Sequence, residues 1–276
     1  MNEQTTRALG AVAVALAAAS VLMTAPASAE HFEGLAVATW GDHRAEGNRE
    51  RNRYRHPIET LTFLGVAPTM TVAEVSPGGG WYTEILAPYL REQGKLYAAA
   101  YDPQSEGEYY RNSASRFREK LAAHPEVYDK VALTVFEPPS KLEVAPDGSA
   151  DVVLTFRNMH GWLRNDTARA ALDAMHRALK PGGVLGVVQH RGQPGNPAHR
   201  SGDEGYLDQN YVIGFIEAAG FELVDSSEIN ANPADPKDHS VGVWALPPSL
   251  ELGDQDRERY LRIGESDRMT LKFVKR

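Results

Sequence analysis

The sequence predicts an α/β fold, a doubly wound, mostly parallel seven-stranded sheet with an antiparallel edge strand. Three observations carry that expectation. From Thr71 to Ile229, short apolar runs alternate with stretches of helical period, the rhythm a parallel sheet needs because each crossover returns over one face. The first apolar run empties directly into a three-glycine turn, Gly78-Gly79-Gly80, with a helix immediately behind it. In the tail, strand-like runs are no longer separated by full crossover helices, which points to antiparallel pairing at one edge.

Before the domain comes a leader. Met1 to Arg7 is polar, Ala8 to Met23 is apolar and rich in alanine, and Ala27-Ser28-Ala29 offers a small-residue cleavage site before Glu30. These are the three parts of a secretory signal peptide. A membrane anchor is the alternative, but the run is short and weakly apolar beside the roughly 20 residues of a span. Residues 1–29 are therefore expected to be a signal peptide, 30–56 a polar N-terminal arm or helix, and 57–276 the α/β domain. The mature protein is expected to be exported to the periplasm and to leave the membrane after cleavage.

Taken in order, Gly41 to Arg55 carries Arg44, Arg49, Arg51, Arg53 and Arg55 and reads as a solvent-facing face, with recognition of a carboxylate or phosphate as the alternative. Pro57 suits the first turn of a short helix, Ile58 to Leu64. Strands follow at Thr71 to Val75, Leu96 to Tyr101, Val131 to Phe136, Asp151 to Phe156, Val184 to Gln189 and Phe221 to Ile229. Helices are expected at Trp81 to Glu92, Glu106 to Ala123, Asp166 to Leu179 and Leu207 to Ala219. The tail reads as a strand from His239 to Leu246, a helix from Asp254 to Ile263 and a strand from Met269 to Val274. Gly192 to Gly205 reads as a surface loop, with a lid as the alternative.

The net charge of −8 argues against nucleic acid as a partner, because backbone binding needs a strong positive patch. Zero cysteines remove disulfides, thiolate metal sites and cysteine nucleophiles, and no His-x-x-x-His pair offers a metal site. No metal is expected.

The chemistry is expected at the glycine turn. Glycines let a ligand approach the backbone, and the following helix start offers unpaired N–H groups. Asp102, closing the second strand, stands where ribose hydroxyls are held in doubly wound folds. Glu74-Val75-Ser76-Pro77-Gly78-Gly79-Gly80 resembles the acid-x-Gly-x-Gly-x-Gly signature of class I S-adenosylmethionine-dependent methyltransferases, with Ser76 in place of the first glycine. Asp151 to His160 is similar to that family's fourth strand and exit loop, and Leu179-Lys180-Pro181-Gly182-Gly183 to its turn before the fifth. Gly78 to Leu90 and Gly264 to Phe273 resemble a bacterial subgroup of exported members.

The resemblance implies S-adenosylmethionine as cofactor, contacted by Glu74, Ser76, Gly78, Gly79, Gly80, Tyr82, Asp102 and Arg157. His160 and Asn158 are the expected catalytic residues, His160 as a base because it titrates near neutrality. Trp162 reads as a stacking platform or as packing. The implied function is methyl transfer to a small-molecule nucleophile; the alternative is a non-catalytic exported binding protein that keeps the fold.

Overall fold

The structure, a computed structural model, describes residues 27–276, with side chains from Phe32 onward. The leader as far as Pro26 lies outside the described residues, and its expected cleavage site falls at the start of the first helix. Four helices precede the sheet: α1 (Ala27–Trp40), α2 (Glu46–Glu50), α3 (Asn52–Arg55) and α4 (Pro57–Phe63). Then come β1 (Thr71–Val75), α5 (Thr83–Leu90), β2 (Lys95–Ala100), α6 (Glu108–Ala123), α7 (Pro125–Tyr128), β3 (Ala132–Glu137) and β4 (Lys141–Leu142). The second half runs β5 (Ala150–Phe156), α8 (Met159–Arg164), α9 (Ala168–Ala178), β6 (Leu179–His190), α10 (Gln209–Glu217), β7 (Phe221–Ser227), α11 (Arg257–Ile263) and β8 (Arg268–Lys275).

The strands form one sheet in the order β4-β3-β2-β1-β5-β6-β8-β7. β3, β2, β1, β5 and β6 are mutually parallel, while β8 runs antiparallel to both β6 and β7. The mostly parallel sheet is as expected. At one end of the sheet β8, inserted between β6 and β7, is antiparallel to both neighbours; at the other, two-residue β4 is an antiparallel edge strand on β3 and brings the count to eight.

Period-two burial explains why the central strands sit where they do. Val72, Val152, Leu154 and Phe156 face one layer, with Leu61, Leu86 and Leu90; Ala73, Val75 and Val153 face the other, with Leu172, Met175 and Ile216. A strand buried on both faces cannot alternate apolar with polar, and these do not. The chain winds outward from β1 through β2 to β3, then returns to β5 on the other side of β1. Ligands of such sheets bind where the order reverses, at the carboxyl ends of the strands.

Two expectations need correction. Gly41 to Arg55 faces solvent only in part: Arg53 is exposed, but Arg44 and Arg55 are each 2% exposed, and α1 ahead of it packs on α5 and α4. Arg44 and Arg55 go inward because they find carboxylates and an indole ring there, whereas Arg49 pairs with exposed Asp42. His239 to Leu246 is not a strand but a turn ending in one turn of 3-10 helix, Gly242–Ala245. Gly242 has φ 59°, and a Cβ there would lie 2.2 Å from the Glu204 carbonyl oxygen. That left-handed, tightly packed backbone does not fit a strand. Among the described residues no helix is long and apolar enough to cross a membrane.

Candidate active site

Backbone geometry makes the glycine turn. Ser76, Gly78 and Gly80 have φ of 51°, 58° and 75°, the left-handed region that a side chain strains. Glycine relieves that strain at two of the three positions; serine bears it at the third. A Cβ on Gly80 would lie 2.8 Å from Phe117, whereas around Gly78 and Gly79 it would meet nothing. Gly80 is therefore a packing glycine, and the other two border open space.

Glu74 does not face that space. Its buried carboxylate accepts a 2.6 Å hydrogen bond from Thr83 Oγ1 at the start of α5, and burial raises its pKa to about 7. Tyr82 is buried as well, its ring stacked on Phe156 at 3.6 Å. These two residues support the turn from below. Trp81 is gripped by the N-terminal segment: the guanidiniums of Arg44 and Arg55 lie 4.7 and 4.6 Å from its ring centroid, and its Nε1 donates to the Asn48 carbonyl. Arg44 also donates through Nε to buried Glu84 at 3.1 Å.

A cavity of about 570 Å³ opens beside the turn, at the carboxyl ends of β2, β3 and β5. Tyr101, Tyr109, Tyr110, Glu137, Arg157, Asn158, His160 and Trp244 are among its lining residues. Tyr101, Tyr109 and Tyr110 form an aromatic wall, with ring centroids 4.8–6.3 Å apart. Glu137 accepts from Ser105 Oγ at 2.6 Å. Asp102 ends β2 as expected, but Lys141 and the Gln104 amide engage its carboxylate and hold it below the usual range.

Asn158 and His160 both reach the cavity wall. The Asn158 amide donates to Val75 O and Thr155 Oγ1, each at 3.0 Å, clamping the exit of β5 to the exit of β1. His160 is desolvated, which lowers its pKa to about 4, so its ring is neutral at physiological pH. Its tautomer can be assigned. Gln189 Nε2 donates to the Gly205 carbonyl at 2.9 Å, which fixes that amide's orientation, and the same nitrogen lies 3.3 Å from His160 Nδ1. Nδ1 is thus the acceptor and the proton sits on Nε2. In this state His160 offers the cavity a donor, and the arrangement does not suit the base expected of it. Trp162 is core: it is 6% exposed and sits edge-on to Phe136 at 5.9 Å.

A second constellation stands behind Arg157. Glu265 bonds Arg51 Nε at 2.5 Å, Arg55 Nε at 3.1 Å and the Arg268 guanidinium. Burial alone would raise the Glu265 carboxyl, but Arg268, Arg55 and Arg51 hold it well below the usual range. Arg157, at φ 63°, joins this group, and burial with the neighbouring Arg268 pushes its pKa down to about 10. Buried His190 shares a 2.5 Å hydrogen bond with Ser266. Arg191 leaves the edge instead, paired with Glu228 and Asp267. The Gly192 to Gly205 loop is closely tied, with Gln193 N bonded to buried His199 and Gly195 N to Asp208. A Cβ on Gly202 would strike the His160 carbonyl at 2.3 Å.

The turn thus brings Gly78 and Gly79 to open space and Asn158, His160 and Arg157 to the cavity, while Glu74, Gly80 and Tyr82 serve the scaffold. Sequence reasoning missed Tyr101, Tyr109, Tyr110, Glu137, Gln189 and the pairing of Glu265 with the arginines. The tyrosines and Glu137 had a signal, since they flank the carboxyl ends of expected strands; Gln189 and Glu265 had none, because their partners are distant in sequence.

A model described as a methyltransferase domain matches residues 73–187. Two curated relatives, the ribosomal RNA large subunit methyltransferase E of two strains of Acidithiobacillus ferrooxidans, are each 31% identical over 152 residues. That alignment takes in 51% of this chain and 60% of theirs, so the chain spans less than two thirds of the curated relatives it matches. Among solved structures, the cyclase SpnF superposes with a TM-score of 0.56 at 14% identity, over 86% of this chain and 85% of its own. A geranyl diphosphate methyltransferase in complex with S-adenosylmethionine gives 0.55 at 14%, over 87% and 95%. A methyltransferase dependent on the same cofactor, from Aquifex aeolicus, gives 0.51 at 20%, over 66% and 87%. These likenesses show the fold, and the domain match runs from β1 into β6, across the glycine turn and the exit loop of β5. Over residues 73–187 the chain is similar to a methyltransferase domain, and it shares the fold of the S-adenosylmethionine-dependent methyltransferases it superposes on.

Proposed function

We propose that this protein is an exported enzyme that moves a methyl group from S-adenosylmethionine to a small molecule bound in the 570 Å³ cavity. One observation carries the reading: the only two glycines of the turn with free space above them, Gly78 and Gly79, open beside a cavity walled by the strand-end residues Tyr101, Glu137, Asn158 and His160. A cofactor fits that donor set. Gly78 and Gly79 allow close backbone approach, Asp102 and Glu137 offer carboxylates to ribose hydroxyls, and the tyrosines offer faces for a flat base. When bound, the cofactor supplies an electrophilic methyl group on a sulfonium.

The chain's own residues position and desolvate. Asn158 locks the β5 exit to the turn, and Trp244 and the loop behind His160 cover the acceptor side. Confining the reactants in one geometry supplies much of the rate in such displacements. The curated relatives are named for ribosomal RNA; here the net charge is −8 and the arginine group is buried, which favours a small acceptor.

Calorimetry of the chain beginning at Glu30 with S-adenosylmethionine and its demethylated product tests the cofactor, and transfer of labelled methyl to carboxylates, phenols and amines tests the reaction. Binding of both cofactor forms with transfer to at least one acceptor is the expected result. Absence of both would overturn the enzyme reading in favour of a binding protein that keeps the fold. Export is checked by intact mass, with Glu30 expected as the first residue; a secreted species still carrying Ala8 would refute the leader.

A further inference from the structure

We propose that the methyl acceptor enters this site as an oxyanion, a carboxylate or phosphate group, received by Arg157 together with the Nε2–H of His160. This rests on the methyl-transfer reading above and adds the substrate class. The first support is a charge imbalance. Four guanidiniums, those of Arg51, Arg55, Arg157 and Arg268, gather around one carboxylate, Glu265. Three of them share that carboxylate; the Arg157 side chain has no hydrogen bond or ion pair among the described residues. Nη2 of Arg51, Nη2 of Arg55 and Nε of Arg268 are buried with no partner. Uncompensated buried positive charge is costly, and an anion relieves it.

The second support is position. Arg157 lines the cavity and feels the charges of Arg268, Glu265 and Arg51 behind it, so it is the place where that surplus charge reaches a ligand. The third is the polarity of the wall. Gln189 holds the proton of His160 on Nε2, so the ring presents a donor beside the Arg157 cation. Arg164 lies on the same cavity. The part of the wall that follows β5, from Arg157 to Thr167, offers donors and cations and no carboxylate, while Glu108 and Glu137 stand on the part that follows β2 and β3. An acceptor already ionised carries no proton to remove, so it needs no base.

The cofactor's own carboxylate is the other source of an oxyanion, and the test separates the two. Benzoate, phenyl phosphate and neutral benzamide serve as probes, titrated by calorimetry into the chain from Glu30 with S-adenosylhomocysteine present. S-adenosylhomocysteine and 5′-methylthioadenosine, which lacks the amino-acid carboxylate, are titrated separately. Benzoate or phenyl phosphate should bind tighter than benzamide. Arg157→Gln should weaken that anion roughly ten- to a hundredfold, as loss of a charge-assisted bond does, with S-adenosylhomocysteine changed less than about threefold. Arg157→Lys should recover part of the loss, and both variants keep the φ 63° backbone with an ordinary side chain; thermal melts establish that they fold.

Equal binding of benzamide and the anions, or anion binding indifferent to Arg157→Gln, would overturn the proposal. So would a loss confined to S-adenosylhomocysteine with 5′-methylthioadenosine unaffected, which would assign Arg157 to the cofactor. Anion binding that depends on Arg157 in a parent that binds no S-adenosylhomocysteine would sustain the oxyanion site and overturn the methyl-transfer reading instead.

Discussion

Replacing Glu265 by Gln should destabilise the fold severely. The residue is 2% exposed, and its two oxygens accept from Arg51, Arg55 and Arg268. Gln keeps the shape and one acceptor oxygen but turns the other position into a donor facing guanidiniums, and it removes the only carboxylate of the group. Breaking a buried pair by deleting one partner costs about 3–5 kcal/mol, since the remaining charge stays buried. For a domain of this size that lowers Tm by roughly 6–20 °C. Thermal and urea unfolding of parent and E265Q measure it, with Glu222→Gln as control: Glu222 pairs with Arg276 at the surface, both half exposed or more, and such pairs are worth under about 1 kcal/mol. The pH dependence has a definite sign. Glu265 titrates lower folded than its ordinary 4.5, so its stabilisation is whole above that value and fades as pH falls further. Parent and variant should therefore converge below pH 4.5. A variant within 1 kcal/mol of the parent at neutral pH would refute the reasoning.

Three further outcomes are expected. Ser76→Gly relieves a left-handed serine worth about 1–2 kcal/mol and offsets it with unfolded-chain entropy of about 0.5–1, so stability should stay within about 1 kcal/mol while S-adenosylhomocysteine binds equally or tighter; calorimetry showing tenfold weaker binding would contradict this. His160 should titrate near 4 by NMR. Because it is held neutral, acidifying from 6.5 towards 4 costs stability, about 3 kcal/mol in all, and His160→Gln should remove that part of the acid slope; an unchanged slope would count against the buried tautomer. Asp102→Ala should weaken S-adenosylhomocysteine roughly ten- to a hundredfold, while Lys141→Met, which frees the carboxylate, should not weaken it; the reverse pattern in titrations would remove Asp102 from the ribose site.

What could be read in the sequence was what is local. The run from Glu74 through Gly80 into α5 announces a strand, a left-handed turn and a helix within a few residues, and Leu179 to Gly183 announces the next strand. Alternating apolar runs gave the parallel core because its strands are buried on both faces. The arginines of 44–55 misled for a physical reason: Glu265 stands 210 positions from Arg55, and no local pattern distinguishes a cation awaiting a distant carboxylate from one in water. The His239 to Leu246 error has the same root, since apolar alternation there met a left-handed Gly242 set by its contact with Glu204. That His160 leaves β5 towards the cavity was legible; its tautomer was not, because Gln189 and Gly205 decide it.

The bond between Arg55 and Glu265 also dictates when the site can exist. Nearly the whole described chain lies between its two ends, so closing that contact carries the entropy of a very long loop and contributes to a slow, non-local fold. During synthesis Arg55 emerges 210 residues ahead of its counter-charge, Glu265. Until then α3 holds guanidiniums that cannot be buried without great cost, and the floor of the cavity stays unbuilt. Site and sheet are thus coupled: β8, which carries Arg268 and lies between β6 and β7, follows Glu265 directly, so losing that segment removes both.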